Sequence, residues 1–274
     1  MAQRVVLITG ASSGIGLACG KHLAERGFRV YGTSRRGEAG TPAPLPQAMT
    51  MIPMDVTSEP SVNDAVREVA SREGRLDIVV NNAGFGYAGP VEFSTAEEAR
   101  RQFDVNVFGV LRVCRAALPI MRAQRAGYIV NIGSIAGVIA VPFQGLYSAS
   151  KFALEGLSEA LRLEASPFGV RVTILEPGDF RTAFTANRRR TEEIGECYRT
   201  TCEAALERMA QDEQHGRSPL PVARLVLKIV NTPAPRLRYT AGPAEQRAAV
   251  WCKRWLPNGI VERGLRAYYR LGGG

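Results

Sequence analysis

Short apolar runs alternate along the chain with longer segments whose apolar residues recur at helical spacing. The first run, residues 3 to 9, ends in a glycine-rich turn, which is typical of a buried parallel strand that leads into a helix. The same pattern predicts further strands at residues 28–34, 49–55, 76–81, 127–134, 170–175 and 238–241, and helices at residues 14–26, 59–72, 95–123, 145–166 and 221–231. Such regular alternation predicts an α/β fold with a doubly wound parallel sheet of about seven strands, whose ligands bind at the carboxyl ends of the strands.

Length and composition fit one soluble domain. The 274 residues suffice for one large α/β domain with a buried core. No apolar run approaches the length that crosses a bilayer, and residues 3 to 10 already have the pattern of a strand, so we expect a cytoplasmic protein without a signal peptide. The five cysteines lack metal-binding spacing and the two histidines are isolated, so we expect reduced thiols, no metal site, and a His22 that lies on the exposed side of the first helix.

The net charge of +9 raises the alternative of a protein that binds nucleic acid or an anionic membrane. The cations are nearly all arginines and are dispersed along the chain. Only residues 188 to 190 form a run, and no ladder of aromatic residues accompanies it. A solvated basic surface is therefore favoured over a nucleic-acid interface, and part of the charge can serve an anionic cofactor.

The candidate chemistry centres on Tyr147 and Lys151. They are four residues apart in a predicted helix, so their side chains share a face. A fixed cation favours the phenolate, and together with an oxidised nicotinamide ring we expect it to lower the tyrosine pKa from about 10 toward a value useful for proton transfer. A packed tyrosine beside a solvated lysine is the alternative for this pair alone. Its companions are Ser134, at the end of a predicted strand, and Asn106, inside a predicted helix.

These residues belong to an ordered set of six motifs. The set is Thr9-Gly10-Ala11-Ser12-Ser13-Gly14-Ile15-Gly16, Asn81-Asn82-Ala83-Gly84, Asn106, Ser134, Tyr147 with Lys151, and Pro177-Gly178-Asp179-Phe180-Arg181-Thr182. In this order it resembles the short-chain dehydrogenase/reductase family, from about residue 4 to residue 184 with a looser match beyond. The resemblance implies a Rossmann-type oxidoreductase that moves a hydride between a nicotinamide and a carbonyl or secondary alcohol.

The resemblance also implies a role for each catalytic candidate. Tyr147 donates a proton to the substrate oxygen, and Ser134 hydrogen-bonds that oxygen. Lys151 lowers the pKa of the tyrosine and holds the nicotinamide ribose. Asn106 distorts its helix and holds a water on the proton path.

A cofactor site is expected around the glycine turn. Small residues let the backbone approach a pyrophosphate closely, and the start of the following helix offers free N–H groups. In the family, Asp55 meets the adenine amino group. The predicted cofactor-binding residues are Gly10, Ser12, Ser13, Gly14, Ile15, Gly16, Ser34, Arg35, Arg36, Asp55, Val56, Asn82, Ala83, Gly84, Tyr147, Lys151, Pro177, Gly178 and Thr182.

The end of the second predicted strand favours NADP(H) over NAD(H). An enzyme that uses NAD places a carboxylate near this point, where it binds the ribose 2′-hydroxyl and would repel a 2′-phosphate. Here the position is occupied by Ser34, followed by Arg35 and Arg36, whose guanidinium groups can hold a phosphate through forked hydrogen bonds. Two arginines that only decorate a loop are the alternative.

Within the family, residues 81–92 and 147–156 are similar to the branch of 17β-hydroxysteroid and retinol dehydrogenases. This implies a small hydrophobic ketone or aldehyde as substrate, such as a steroid or retinoid, with carbonyl reduction as the direction under NADPH. Arg181 departs from the branch and counts against a bulky lipid. The predicted substrate-pocket residues are apolar or aromatic: Tyr87, Phe143, Leu146, Phe180 and Phe184.

The chain is interpreted as one domain over residues 1–274. Residues 180–216 are predicted to be an insertion that covers the substrate, with a mobile loop at residues 180–190 and a charged helix at residues 191–216. Residues 243–274 are predicted to be a C-terminal helical tail. The tail mixes aromatic residues with Arg and Lys. We expect it to pack on the domain or to form a contact within a homodimer or homotetramer, and attachment to a membrane surface is the alternative. Two other function classes stay open, a non-catalytic NADP(H)-binding sensor and a nucleic-acid binder with steeply salt-dependent affinity.

Overall fold

The computed structural model describes residues 3–41, 44–182, 184–253 and 255–271. Its strands are β1 Val5–Ile8, β2 Arg29–Ser34, β3 Met49–Pro53, β4 Ile78–Asn81, β5 Tyr87–Ala88, β6 Gly127–Ile132, β7 Val170–Pro177, β8 Arg189–Arg190 and β9 Arg238–Ala241. Its α-helices are α1 Gly14–Ala24, α2 Glu59–Glu73, α3 Ala96–Phe103, α4 Gly109–Gln124, α5 Gly145–Ala165, α6 Phe184–Asn187, α7 Glu196–Gln214, α8 Leu220–Val230, α9 Ala244–Lys253 and α10 Asn258–Tyr268.

Seven strands pair in one sheet in the order β3-β2-β1-β4-β6-β7-β9. Every pairing in it is parallel. The chain moves outward from β1 to β3, returns to β4 beside β1, and then moves outward on the other side. This confirms the predicted doubly wound parallel sheet and creates a crevice at the carboxyl ends of β1 and β4, where ligands bind in such folds.

The strands are apolar throughout because helices cover both faces of the sheet. In β1, Val5 and Leu7 belong to the core that α2, α4 and α5 complete. Val6 and Ile8 point the other way, into the core beneath α1 and α8. Because successive side chains of a strand alternate between faces, a strand buried on both sides reads as one continuous apolar run.

The predicted helix at residues 95–123 is divided by a π-helical turn over Asp104–Phe108, between α3 and α4. Asn106 lies in this turn, so the expected distortion of the helix at Asn106 is confirmed. Helix α4 continues past Pro119 to Gln124. Ala117 and Met121 on either side of Pro119 are fully buried in the core, and this packing offsets the lost helical hydrogen bond.

His22 is buried, which corrects the expectation that it lies on the exposed side of the first helix. Helix α8 packs against α1 and covers a face of α1 that would otherwise be exposed. Burial is the main cause that lowers the pKa of the His22 imidazole, and the nearby Arg26 and Arg224 act in the same direction.

The region after residue 180 contains regular elements where a mobile loop and a charged helix were expected. The short helix α6 and the strand β8 lie in the expected loop, and β8 pairs with β5 in a two-stranded sheet. The expected charged helix is α7, and the tail folds into α9 and α10. Among the described residues, no helix has the length and apolar content to span a membrane, and no group of His, Cys, Asp and Glu is arranged to hold a metal ion.

Candidate active site

A cleft of about 1350 Å³ opens along the carboxyl edge of the main sheet, with α9 and α10 at one end. All but one of the predicted cofactor-binding residues line this cleft. The exception is Gly16, the last residue of the glycine turn, which faces Asn82. The predicted residues that line the cleft are Gly10, Ser12, Ser13, Gly14, Ile15, Ser34, Arg35, Arg36, Asp55, Val56, Asn82, Ala83, Gly84, Tyr147, Lys151, Pro177, Gly178 and Thr182.

The glycine turn is held in place by Asn82. The side-chain Nδ2 of Asn82 donates to the carbonyl oxygens of Thr9 (2.9 Å) and Gly10 (3.0 Å), and its backbone N donates to Thr9 Oγ1 (2.9 Å). A Cβ on Gly16 would lie 2.5 Å from both Asn82 Nδ2 and the Gly10 carbonyl oxygen, and Gly10 itself has φ +65°. The turn therefore requires glycine at these two positions, because side chains there would clash with Asn82 and Ala83, which support the cradle that its backbone forms.

This cradle fits the pyrophosphate of a dinucleotide. Ser13 is the N-cap of α1, yet its side chain makes no capping hydrogen bond. Ser13, Gly14 and Ile15 all line the cleft, so the positive end of the helix dipole faces it. An anion at this point would complete the hydrogen bonding of the helix start.

The end of β2 offers cations and no carboxylate. The Ser34 hydroxyl donates to the Gly37 carbonyl (3.0 Å), while Arg35 and Arg36 are exposed and line the cleft. Within the described residues, neither guanidinium takes part in an ion pair. Both are available to an anionic ligand.

Tyr147 and Lys151 lie on one face of α5 and are both buried at the cleft. The Lys151 ammonium is 5.7 Å from the centroid of the Tyr147 ring and donates to the Ile132 carbonyl oxygen at the end of β6 (2.8 Å). Ser134 follows the same strand end, and its hydroxyl lies close enough to Tyr147 to act on the pKa of the phenol. The chain therefore brings the three predicted residues together at the cleft.

The protonation of this cluster depends on burial. Burial raises the pKa of Tyr147 to about 12, although the nearby Ser134 hydroxyl acts in the opposite direction. Burial also lowers the pKa of Lys151 to about 8. For the protein's own groups, removal from water outweighs the attraction between the two side chains, because burial disfavours both charged forms. The lowering of the tyrosine pKa in the complex with a nucleotide stays a prediction. Tyr147 keeps its proton at neutral pH, which is the form that a proton donor requires.

Asn106 lies behind the cleft and acts on the position of other groups. Its Nδ2 donates to the Phe85 carbonyl (3.0 Å) and to Ser150 Oγ (3.1 Å), and its Oδ1 accepts from the Phe85 N–H (3.1 Å). Ser150 in turn donates to the Tyr147 carbonyl (2.7 Å). Because Asn106 does not line the cleft, we describe it as a positioning residue for α5 and for the chain after β4.

The depressed pKa of Lys151 predicts a stability effect. The folded protein binds the Lys151 proton less tightly than the unfolded chain, so the destabilising contribution is full below pH about 8 and disappears as the pH rises toward the unfolded value of 10.5. Lys151→Met removes this contribution. The measurement is urea unfolding of both proteins without nucleotide at pH 7 and pH 10. The unfolding free energy of the variant minus that of the wild type should be smaller at pH 10 than at pH 7. A difference that does not change with pH would contradict the assigned burial of the charge.

Two of the five predicted substrate-pocket residues line the cleft, namely Phe180 and Phe184. The Phe184 ring lies 5.4 Å from the Tyr147 ring, next to the reacting hydroxyl. Tyr87, Phe143 and Leu146 lie outside the lining. Tyr87 packs edge-on against Phe85, and Phe143 packs against Tyr198 on α7.

A polar cluster near Tyr147 was missed by the sequence reasoning. Asp179, Asp212 and Glu213 line the cleft, and Arg188 forms an ion pair with Glu213. Burial, with the neighbouring carboxylates, raises the pKa of Asp179 to about 6, while a hydrogen bond from Gln246 opposes the rise. The position of Asp179 just after the end of β7 was a signal that could have identified it. Asp212 and Glu213 come from a helix whose docking the sequence does not reveal.

Comparisons with known proteins agree with this geometry. The family model of the short chain dehydrogenases matches residues 4–193. The chain is 42% identical to a 3-ketodihydrosphingosine reductase of Bacteroides thetaiotaomicron, over 99% of this chain and all of that protein. It is 37% identical to human 17-beta-hydroxysteroid dehydrogenase type 1, over 87% of this chain and 77% of the human one. The crystal structure of a short-chain dehydrogenase from Streptomyces avermitilis superposes with a TM-score of 0.82 at 32% identity, over 98% of this chain and 97% of that chain.

Proteins with this fold have been solved with NADH or with NADP in place. The fold, the six ordered motifs and these similarities lead to one conclusion: the chain belongs to the short-chain dehydrogenase/reductase family and is an oxidoreductase.

Proposed function

We propose that this protein is an NADPH-dependent reductase of long-chain ketones, and that its substrate is a 2-amino ketone such as 3-ketodihydrosphingosine. The observation that carries the proposal is the Tyr147 hydroxyl, buried beside Ser134 and Lys151 in a cleft that also contains apolar and acidic side chains. Bound nicotinamide would supply the hydride to the carbonyl carbon.

The protein's own groups handle the proton. As the carbonyl carbon gains the two electrons of the hydride, the oxygen takes the proton of the Tyr147 hydroxyl, and the tyrosine later regains a proton from solvent. Ser134 hydrogen-bonds the oxygen as negative charge develops on it. Lys151, charged below its pKa of about 8, stabilises the tyrosinate that this step leaves behind.

NADP(H) is favoured by the residues at the end of β2. Ser34 leaves room for a 2′-phosphate where a carboxylate would repel it. Arg35 and Arg36 line the cleft at this end and can bind the phosphate dianion.

The substrate class follows from the other end of the cleft. The side chains of Leu256, Ile260, Val261 and Leu265 line it there and suit an alkyl chain. The name of the Bacteroides thetaiotaomicron relative specifies a ketone with an ammonium on the adjacent carbon and a long saturated chain. Arg181 is exposed and outside the lining, so it does not oppose a lipid substrate as the sequence had suggested.

The proposal is tested by following NADPH oxidation with 3-ketodihydrosphingosine and with ketones of graded chain length. Turnover should rise with chain length and be higher with NADPH than with NADH. A protein that binds NADPH yet reduces none of these ketones would instead be the non-catalytic sensor.

Asp179 is expected to recognise the ammonium of the substrate. Its carboxylate lies close enough to Tyr147 to affect the pKa of the phenol, so it can reach a charge next to the reacting carbonyl. Hydrogen bonds to charged groups contribute about 1.5–3 kcal/mol, so Asp179→Asn should raise KM for the amino ketone about tenfold or more. KM should also rise for the wild type as the pH falls through about 6, because Asp179 is then protonated.

A ketone of the same chain length without the amine provides the comparison, and Asp64→Asn, an exposed carboxylate on α2, provides the control variant. KM for the ketone without the amine should not rise in Asp179→Asn, and KM for the amino ketone should not rise in Asp64→Asn. Equal changes in KM for both ketones would mean that Asp179 has only a structural role.

A further inference from the structure

The two C-terminal helices and the turn between them carry an apolar surface that no other part of the described chain covers. We call it the C-terminal surface and define it by Trp251, Trp255, Leu256 and Ile260, which are 65%, 73%, 40% and 51% exposed. The two tryptophan rings lie 6.4 Å apart. No residue of α10 is fully buried. Side chains of this size clustered on a surface mark an interaction site.

The same segment is basic. Residues 244–271 contain six cations, Arg247, Lys253, Arg254, Arg263, Arg266 and Arg270, and two carboxylates, Glu245 and Glu262. One carboxylate, Glu262, is already paired with Arg266 (3.0 Å). Exposed tryptophans beside an excess of Arg and Lys are the composition of helices that lie in the headgroup region of an anionic bilayer.

This surface is continuous with the cleft. Leu256 and Ile260 are partly exposed and at the same time line the cleft, so α10 forms the wall between the cleft and the outside. The helix is fastened at its end, where the Tyr268 hydroxyl donates to Asp212 (2.7 Å) and the Arg208 guanidinium lies 4.8 Å from the Tyr268 ring centroid. An apolar molecule held at the C-terminal surface would be next to the cleft entrance.

We propose that the C-terminal surface docks on an anionic lipid bilayer, and that the lipid ketone enters the cleft from that bilayer along α10. Entry of the lipid ketone rests on the proposed function, whereas docking on the bilayer does not. Charge favours a bilayer over a second copy of this chain, because a two-fold contact would bring two basic surfaces together.

The experiment uses the full-length protein, whose only tryptophans are the two in the surface, so that tryptophan fluorescence reports directly on docking. Vesicles of phosphatidylcholine with phosphatidylglycerol should shift the emission to shorter wavelength and carry the protein upward in a flotation gradient. Phosphatidylcholine vesicles alone should bind less, and added salt should weaken binding to the anionic vesicles. An absence of binding to anionic vesicles would overturn the proposal.

Variants separate docking from folding. Trp251→Ser with Trp255→Ser should weaken vesicle flotation about tenfold or more, since two large apolar side chains no longer enter the lipid. Leu163→Ser, which replaces an equally exposed apolar residue on α5, should float like the wild type. NADPH affinity and melting temperature should be the same in all three proteins.

Turnover distinguishes this proposal from the proposed function. For a short soluble ketone, the double variant should keep the wild-type KM and kcat, whereas KM for the lipid ketone presented in vesicles should rise. Flotation without turnover of any ketone would leave docking intact and remove the function. If the wild type is a dimer by ultracentrifugation, fails to float, and becomes a monomer in the double variant, the surface is a subunit contact and the proposal is wrong.

Discussion

Replacement of Tyr147 by Phe is expected to lower kcat for ketone reduction by about 10²–10⁴-fold, the usual contribution of a positioned proton donor. The change removes one oxygen from a buried ring that packs against Phe184 and leaves the glycine turn untouched. NADPH affinity, measured by fluorescence titration, should therefore remain close to that of the wild type.

Tyr31→Phe is a matched control for this variant. It also removes a buried phenol hydroxyl, one that donates to Glu73, but it lies in β2 outside the lining of the cleft. It should keep wild-type turnover even if its stability falls. Turnover retained in Tyr147→Phe would show that the proton reaches the substrate from another group.

Replacement of both Arg35 and Arg36 by Ala is expected to weaken NADPH binding strongly and NADH binding little. Each hydrogen bond to a charged phosphate contributes about 1.5–3 kcal/mol, and exposure to solvent reduces this, so the Kd for NADPH should rise about 10–100-fold for the pair. The measurement is a titration of each nucleotide against wild type and variant.

The double variant Arg67→Ala with Arg100→Ala removes the same charge from exposed positions on α2 and α3 outside the cleft. This control measures how much the loss of two positive charges outside the cleft weakens the binding of an anionic nucleotide. Equal losses for NADPH and NADH in the Arg35 and Arg36 variant would contradict the assignment of a 2′-phosphate site.

The parts of the fold that the sequence predicted depend on local patterns. The apolar run of β1 and the glycine turn after it follow from two faces of packing and from the tight connection to α1. The predicted helix at residues 95–123 begins with α3, where the structure has a capping box in which Thr95 Oγ1 accepts from the Glu98 N–H (3.1 Å). Strand order then brings motifs that are distant in sequence to one edge of the sheet.

The parts that were not predicted depend on contacts between distant segments. Burial of His22 requires α8, and the substrate end of the cleft requires α7, α9 and α10, whose packing leaves Tyr87 and Phe143 outside. The pKa shifts that burial gives Tyr147 and Lys151 were not predicted for the same reason. Their four-residue spacing indicates attraction, but the cost of removing both groups from water appears only when the neighbouring segments are in place.

The most direct test of the account follows the hydride itself. Wild-type protein is incubated with 3-ketodihydrosphingosine and NADPH deuterated at both C4 positions, and the product is analysed by mass spectrometry. We expect an amino alcohol with one deuterium on its new carbinol carbon, formed by the wild type and nearly absent with Tyr147→Phe. A product without deuterium, or no reduction of the ketone, would contradict this expectation.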